Sequence, residues 1–244
     1  MYYIRSMKSA SLLFLALAAS SLGAEEPPKT DTVPVAGGSL KIHFLGHATL
    51  MLDYNGWIIH VDPVAAEADY AALPPADLIL ITHEHSDHLD AAVVARITRP
   101  GTAIVANPAA AEKLRGAVAL RNGESHTVGS VKIEAVPAYN TSPGRDRFHP
   151  RGRDNGYLLT IAGKRLYIAG DTEDTPEMKA LKNVDLAFLP MNQPYTMTPE
   201  QVARAARAFK PRVLYPYHTG DTETARLTTL LEGKGVEVRV RKLQ

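Results

Sequence analysis

The chain has no cysteine among its 244 residues. That absence excludes a disulfide framework, a thiolate ligand and a cysteine nucleophile. Any transition metal must then be held by histidine and carboxylate, a donor set that suits zinc, manganese or iron. An excess of charge is missing too: 27 Lys and Arg face 26 Asp and Glu, for a formal net charge of +1. Nothing in that balance calls for nucleic acid or an anionic membrane as partner. The apolar run at 10–19 is too short for a comfortable transmembrane helix.

That run instead carries the marks of an export signal. Arg5 and Lys8 precede it, and the small residues Ser20, Ser21, Gly23 and Ala24 come after it. We read 1–24 as a secretory signal peptide, with a periplasmic or secreted destination and no stable membrane insertion after cleavage. Removing it takes away Arg5 and Lys8 and leaves a formal charge of −1. Residues 25–37, rich in Pro, Thr and Gly, read as a flexible lead-in. No repeat or second linker interrupts the remaining residues, so 38–244 is expected to be one domain. Its oligomeric state cannot be read from the sequence.

Apolar periodicity predicts strands at 39–45, 49–54, 57–61, 78–81 and 103–105, with Asn55-Gly56 as a hairpin turn. Helices are expected at 91–97 and 108–114. The second half reads as strands at 131–136, 157–161, 165–169, 184–189, 213–217 and 236–240, with a polar loop from 138 to 156. Helices are expected at 176–181, 199–209 and 222–231, the middle one capped by Thr198 with Pro199 in its first position. Strands and helices alternate in both halves, which fits an α/β protein with two sheets face to face and helices outside.

The chemistry concentrates in Thr82-His83-Glu84-His85-Ser86-Asp87-His88, directly after the apolar strand 78–81. Three imidazoles and the Asp87 carboxylate fall within six residues at the end of a buried strand, where α/β sheets place their sites. His83 and His85 are two apart and point the same way if extended. Asp87 and His88 come after the turn and can face a second ion.

The pattern His83-x-His85-x-Asp87-His88 resembles the signature of the metallo-β-lactamase superfamily, metal-dependent hydrolases with a four-layer αββα sandwich. The resemblance implies two divalent ions, zinc first and Mn2+ or Fe2+ as alternatives. It also implies a bridging carboxylate at Asp171, in Ala169-Gly170-Asp171-Thr172, and a last histidine ligand at His218. The family's remaining histidine is expected after strand 131–136, where this chain has Asn140, a poor zinc ligand. Either His149, in Phe148-His149-Pro150, replaces it or His149 is a surface-loop residue. Asp62 and His47 resemble residues near the site in the branch that includes ascorbate-phosphate lactonase and a phospholipase D acting on N-acylated ethanolamine lipids. Asp62 is expected to orient a ligand histidine; His47 either meets substrate or satisfies a turn. His43, His60 and His126 read as structural or exposed.

The implied reaction is hydrolysis by a metal-bound hydroxide, with Asp87 as ligand and orienting group, on an ester, lactone or phosphodiester of a small-molecule or lipid-derived substrate. Arg145, Arg147, Arg151 and Arg153 surround His149 and either hold an anion or form a solvated loop. The stretch 191–197 is expected at the mouth of the site. Two other readings stay open: an exported β-lactamase, and a metal-binding scaffold without turnover, the latter motivated by Asn140.

Overall fold

Two β-meanders, one opening each half of the chain, organise the computed structural model, which describes residues 30–241 with Met1 and Leu243. Beyond Met1, the expected signal peptide lies outside the described residues, as do residues 25–29 of the lead-in. In the first half, β1 (Thr30–Val35), β2 (Gly38–Gly46), β3 (Thr49–Tyr54) and β4 (Trp57–Val61) pair antiparallel. Asn55-Gly56 turns β3 into β4, both at positive φ. β5 (Leu78–Ile81) then adds parallel to β4. Helix α1 (Ala91–Ile97) leads to β6 (Ala103–Ala106), and α2 (Pro108–Ala111) to β7 (Val118–Ala119), both parallel additions.

The second half repeats this plan. β8 (Ser125–Val128), β9 (Val131–Ala138), β10 (Asp154–Ile161) and β11 (Lys164–Ile168) are antiparallel. Then α3 (Pro176–Lys179), β12 (Leu186–Pro190), α4 (Pro199–Phe209), β13 (Val213–Tyr217), α5 (Thr224–Leu231) and β14 (Glu237–Val238) complete a parallel extension. Each sheet has seven strands in chain order. The repeat is one of topology, carried by hydrophobic pattern and not by residue identity.

Three apolar layers glue the elements together. Ile42, Leu50, Leu52 and Ile59 of the first sheet meet Ile133, Tyr157, Leu159, Phe188 and Tyr215 of the second in the central core. Val93, Val94 and Ile97 of α1 cover the outer face of the first sheet. Val202, Ala203, Ala206 and Phe209 of α4 cover that of the second. The result is the αββα sandwich expected. Helix α4 begins as predicted, with a capping box between Thr198 and Gln201 and Pro199 in its first turn.

The lead-in reading is corrected over part of its length: residues 30–35 are β1. The period-two pattern of Thr-Asp-Thr-Val-Pro-Val lets Val33 and Val35 pack on the core, and Pro34 is tolerated because β1 is an edge strand. Asp31 anchors it to the far end of the chain, accepting from Tyr215 Oη at 2.7 Å and from Arg241 Nε and Nη2 at 2.8 Å each. The polar loop is shorter than expected, running only between β9 and β10. Besides β1, the strands that the apolar pattern misses are β7 and β8, which are short and have little buried surface.

Candidate metal centre

The ends of β4, β5, β9, β11 and β13 open on one rim of the sandwich. There the chain sets Asp62, Thr82-His83, Asn140, Gly170-Asp171 and His218, and the β2–β3 turn adds His47. Three of these, His47, Asp62 and His218, hold positive φ of 45–46°, a region disfavoured for residues with a Cβ and typically concentrated at working sites. Gly170, at φ 64°, is required for a second reason: a Cβ there would lie 2.8 Å from the Asn155 carbonyl oxygen.

The sequence-predicted residues are brought together. His83, His85 and His149 offer nitrogens within 4.8 Å of one another, and His47, Asp87, His88 and His218 form a second such group. Asp171 reaches both. One oxygen lies 3.3 Å from His88 Nε2, and the other lies 3.4 Å from His149 Nε2 and 3.3 Å from His218 Nε2. His43 and His60 stand apart, against Thr30 Oγ1 and the Pro74 carbonyl. His47, left between two roles by the sequence, belongs to the cluster: its Nε2 is 3.3 Å from Asp87 Oδ2 and its ring centroid 3.7 Å from that of His218.

Hydrogen bonds behind the cluster decide which ring nitrogen faces it. Asp62 accepts from Thr82 N at 2.8 Å, from Thr82 Oγ1 at 2.7 Å and from His88 Nδ1 at 2.8 Å. Thr82 Oγ1 has therefore spent its hydrogen and can only accept from His83 Nδ1, 3.0 Å away. One buried carboxylate thus turns Nε2 of both His83 and His88 toward the centre. Asn140 does the same for His149. Its Nδ2 donates to the Tyr195 carbonyl at 2.7 Å, so its Oδ1 must be the atom facing His149 Nδ1 at 2.9 Å. Asn140 N also donates to the His149 carbonyl at 2.9 Å, which closes the intervening loop on itself. The expected gap at Asn140 is thus filled: the amide is the backing group, and the imidazole it backs comes from nine residues later.

What these groups point at is cation-shaped in its chemistry. Nε2 of His88, His149 and His218, with Asp171 Oδ1, are buried without a hydrogen-bond partner, a condition rare for protein atoms unless an ion or water completes them. Imidazole nitrogens and carboxylate oxygens are the donors that divalent transition metals take. The residues present fit such ions.

The two groups differ in charge. Burial, together with the neighbouring His88, holds His83 well below the usual histidine range. Burial, opposed only partly by Asp171, brings His149 down to about 4, and burial and Arg153 also lower His85. In the other group burial works the same way but loses. Asp171 and Asp62 raise His88, and Asp171 with Asp87 lifts His218 to about 9.

The arginine loop is scaffold. Arg145 pairs with buried Glu173 at 3.4 Å and with Gln193, Arg151 with Glu177 at 3.0 Å, and Arg153 with Asp154 at 2.7 Å and Glu84 at 3.3 Å. Arg147 lies over the Phe148 ring, 4.7 Å from its centroid. The cluster opens into a cleft of about 220 Å³ walled by its own residues and by Phe148, Asn192 and Tyr195. The 191–197 stretch thus reaches the mouth as expected. The positions of Thr82, Asn140, Phe148 and Tyr195 go beyond what sequence reasoning supplies. A Thr before the first histidine and an Asn in a ligand's place are the available signals for the first two.

Comparison with known proteins agrees with this arrangement. Residues 41–218 match the beta-lactamase superfamily domain. A UPF0173 metal-dependent hydrolase of Deinococcus radiodurans is 32% identical over 220 residues, spanning 82% of this chain and 96% of that protein. A crystal structure described as a metal-dependent hydrolase from Parabacteroides distasonis superposes with a TM-score of 0.87 at 54% identity, covering 89% of this chain and all of that one. A metallo hydrolase from Ignicoccus hospitalis superposes at a TM-score of 0.69 and 25% identity, over 83% and 95% of the two chains. The chain belongs to the metallo-β-lactamase superfamily and is one of its metal-dependent hydrolases.

Proposed function

We propose that this hydrolase holds two divalent cations, zinc before manganese or iron, and cleaves an ester, lactone or phosphodiester of a small-molecule or lipid-derived substrate. His83, His85 and His149 would hold one ion, Asp87, His88 and His218 the other, and Asp171 would bridge. The observation that carries this reading is the convergence of unpartnered buried atoms on Asp171. Bound there, divalent ions supply Lewis acidity and lower the pKa of water.

The chain's own groups define the rest. Asp62, Thr82 and Asn140 fix ring orientation before any ligand arrives, so little reorganisation is needed on loading. Asp87 is half exposed to the cleft. Although burial opposes it, the neighbouring imidazoles of His218 and His47, 3.7 and 3.3 Å from its Oδ2, hold its carboxyl pKa well below the usual carboxylate range, so it remains an acceptor able to orient an attacking water. A scaffold without turnover loses its motivation once Asn140 is seen to orient a histidine. We also infer a location outside the cytoplasm, on the strength of residues 1–24.

The test is hydrolysis of an ester, lactone and phosphodiester panel before and after chelation. Turnover of at least one bond class should disappear on chelation and return with Zn2+. Activity indifferent to chelation, or none from reloaded protein, would contradict the proposal.

A further inference from the structure

Beyond the metal cluster, the cleft walls are neutral. Phe148 and Tyr195 meet edge to face, ring centroids 5.0 Å apart at 73°, and Asn192 is the polar wall residue beside them. Both aromatic residues hydrogen-bond to the scaffold through backbone atoms. The Phe148 carbonyl accepts from Arg153 Nη2 at 2.9 Å, and the Tyr195 carbonyl from Asn140. Their side chains are left without that duty: Tyr195 is 45% exposed and its hydroxyl makes no hydrogen bond among the described residues. The Asn192 carboxamide is likewise unpaired there. A half-buried phenylalanine against an exposed tyrosine at the mouth of a cleft offers apolar surface to a ligand, and such surfaces commonly mark binding.

Charge narrows the ligand. Arg145, Arg151 and Arg153 are engaged by carboxylates and none of them lines the cleft. Arg147 caps the outer face of Phe148 and does not line the cleft either. The nearest cation is Arg153, whose Nη2 lies 3.4 Å from His85 Nε2 but is paired with Asp154, so among the described residues a phosphodiester's charge would meet no unpaired cation at the walls apart from the metal site. At about 220 Å³ the cleft is smaller than pockets that enclose drug-sized ligands, roughly 300 Å³ and more.

We propose that Phe148 and Tyr195, with Asn192 as a neutral polar contact, form a subsite for the uncharged apolar part of a small carboxylic ester or lactone. This rests on the hydrolase reading above and selects carboxylic over phosphoric esters within it. Because the hydrogen bonds that hold the scaffold here come from the two backbone carbonyls and not from the rings, removal of the rings should leave the metal cluster intact.

The test uses the metal-loaded full chain with two esters of equal length and leaving group, neutral 4-nitrophenyl butyrate and anionic 4-nitrophenyl hydrogen succinate. Wild type should favour the butyrate in kcat/KM by about tenfold. F148A and Y195A should each raise its KM by about tenfold, with kcat and metal content unchanged. Calorimetric binding of 4-nitrobenzyl alcohol, read in the same proteins, should weaken by a similar factor whether or not turnover is seen. A binding loss without any turnover would keep the subsite and sink the hydrolase reading. Turnover with no effect of either substitution on KM or binding would overturn the subsite. So would a preference for the succinate ester that vanishes in R147A.

Discussion

The two halves of the proposed metal cluster would do the same job with different chemistry. His83, His85 and His149 are all imidazole, kept neutral by burial, and one of them is delivered by a loop that needs Asn140 to hold it. His88 and His218, with His47 and Asp87, sit among carboxylates that raise the two buried histidines above the usual histidine range. The first is a preformed neutral socket, completed by a loop. The second is a nest in which carboxylates favour the charged form of the histidines. Asp171 joins them, within reach of His88, His149 and His218.

Backing groups should expose this difference most strongly. Asp62 serves both halves, His88 directly and His83 through Thr82. D62A should lower metal affinity of both ions, by about 10–100-fold each, and destabilise the fold as well, since Thr82 N and Thr82 Oγ1 lose their acceptor. N140A should lower affinity for one ion only, by the same order. It would leave the Tyr195 carbonyl and His149 Nδ1 unpaired, at about 1–3 kcal/mol of stability. Isothermal titration with Zn2+ after chelation separates the cases. An N140A chain that weakens both ions equally would break the comparison.

A smaller effect concerns pH. His218 is held up at about 9 and His149 down at about 4. Near neutral pH, loading the His88–His218 half must therefore displace protons, whereas loading the His83–His149 half displaces none from its histidines. Affinity of the former should climb by up to about tenfold per pH unit between roughly 7 and 9 for each proton displaced. The latter should be flat there and weaken only as pH falls toward about 4. Proton release measured in two buffers of different ionisation enthalpy checks this.

Much of the molecule is legible in the residue pattern. A His-x-His-x-Asp-His run behind an apolar strand, a Gly-Asp after another and a His after a third are local features, and strand ends collect at one rim by topology. The layers come from apolar period. What escapes depends on contacts distant in sequence. The partnership of Asn140 with His149 needs the loop to close by a backbone bond between those two residues. The strand at residues 30–35 is held at Asp31 by Arg241, 210 positions away. The aromatic mouth pairs Phe148 with Tyr195, whose shared surroundings only the folded chain creates. The repeated sheet plan leaves no trace in residue identity.

On this reading His149, backed by Asn140, would complete the metal position of His83 and His85. Metal content of the purified chain by mass spectrometry, beside H149A, tests it most directly. About two ions per chain are predicted in the wild type and about one in H149A, with the remaining ion held as tightly as before. Equal metal content and equal affinity in the two proteins would contradict it.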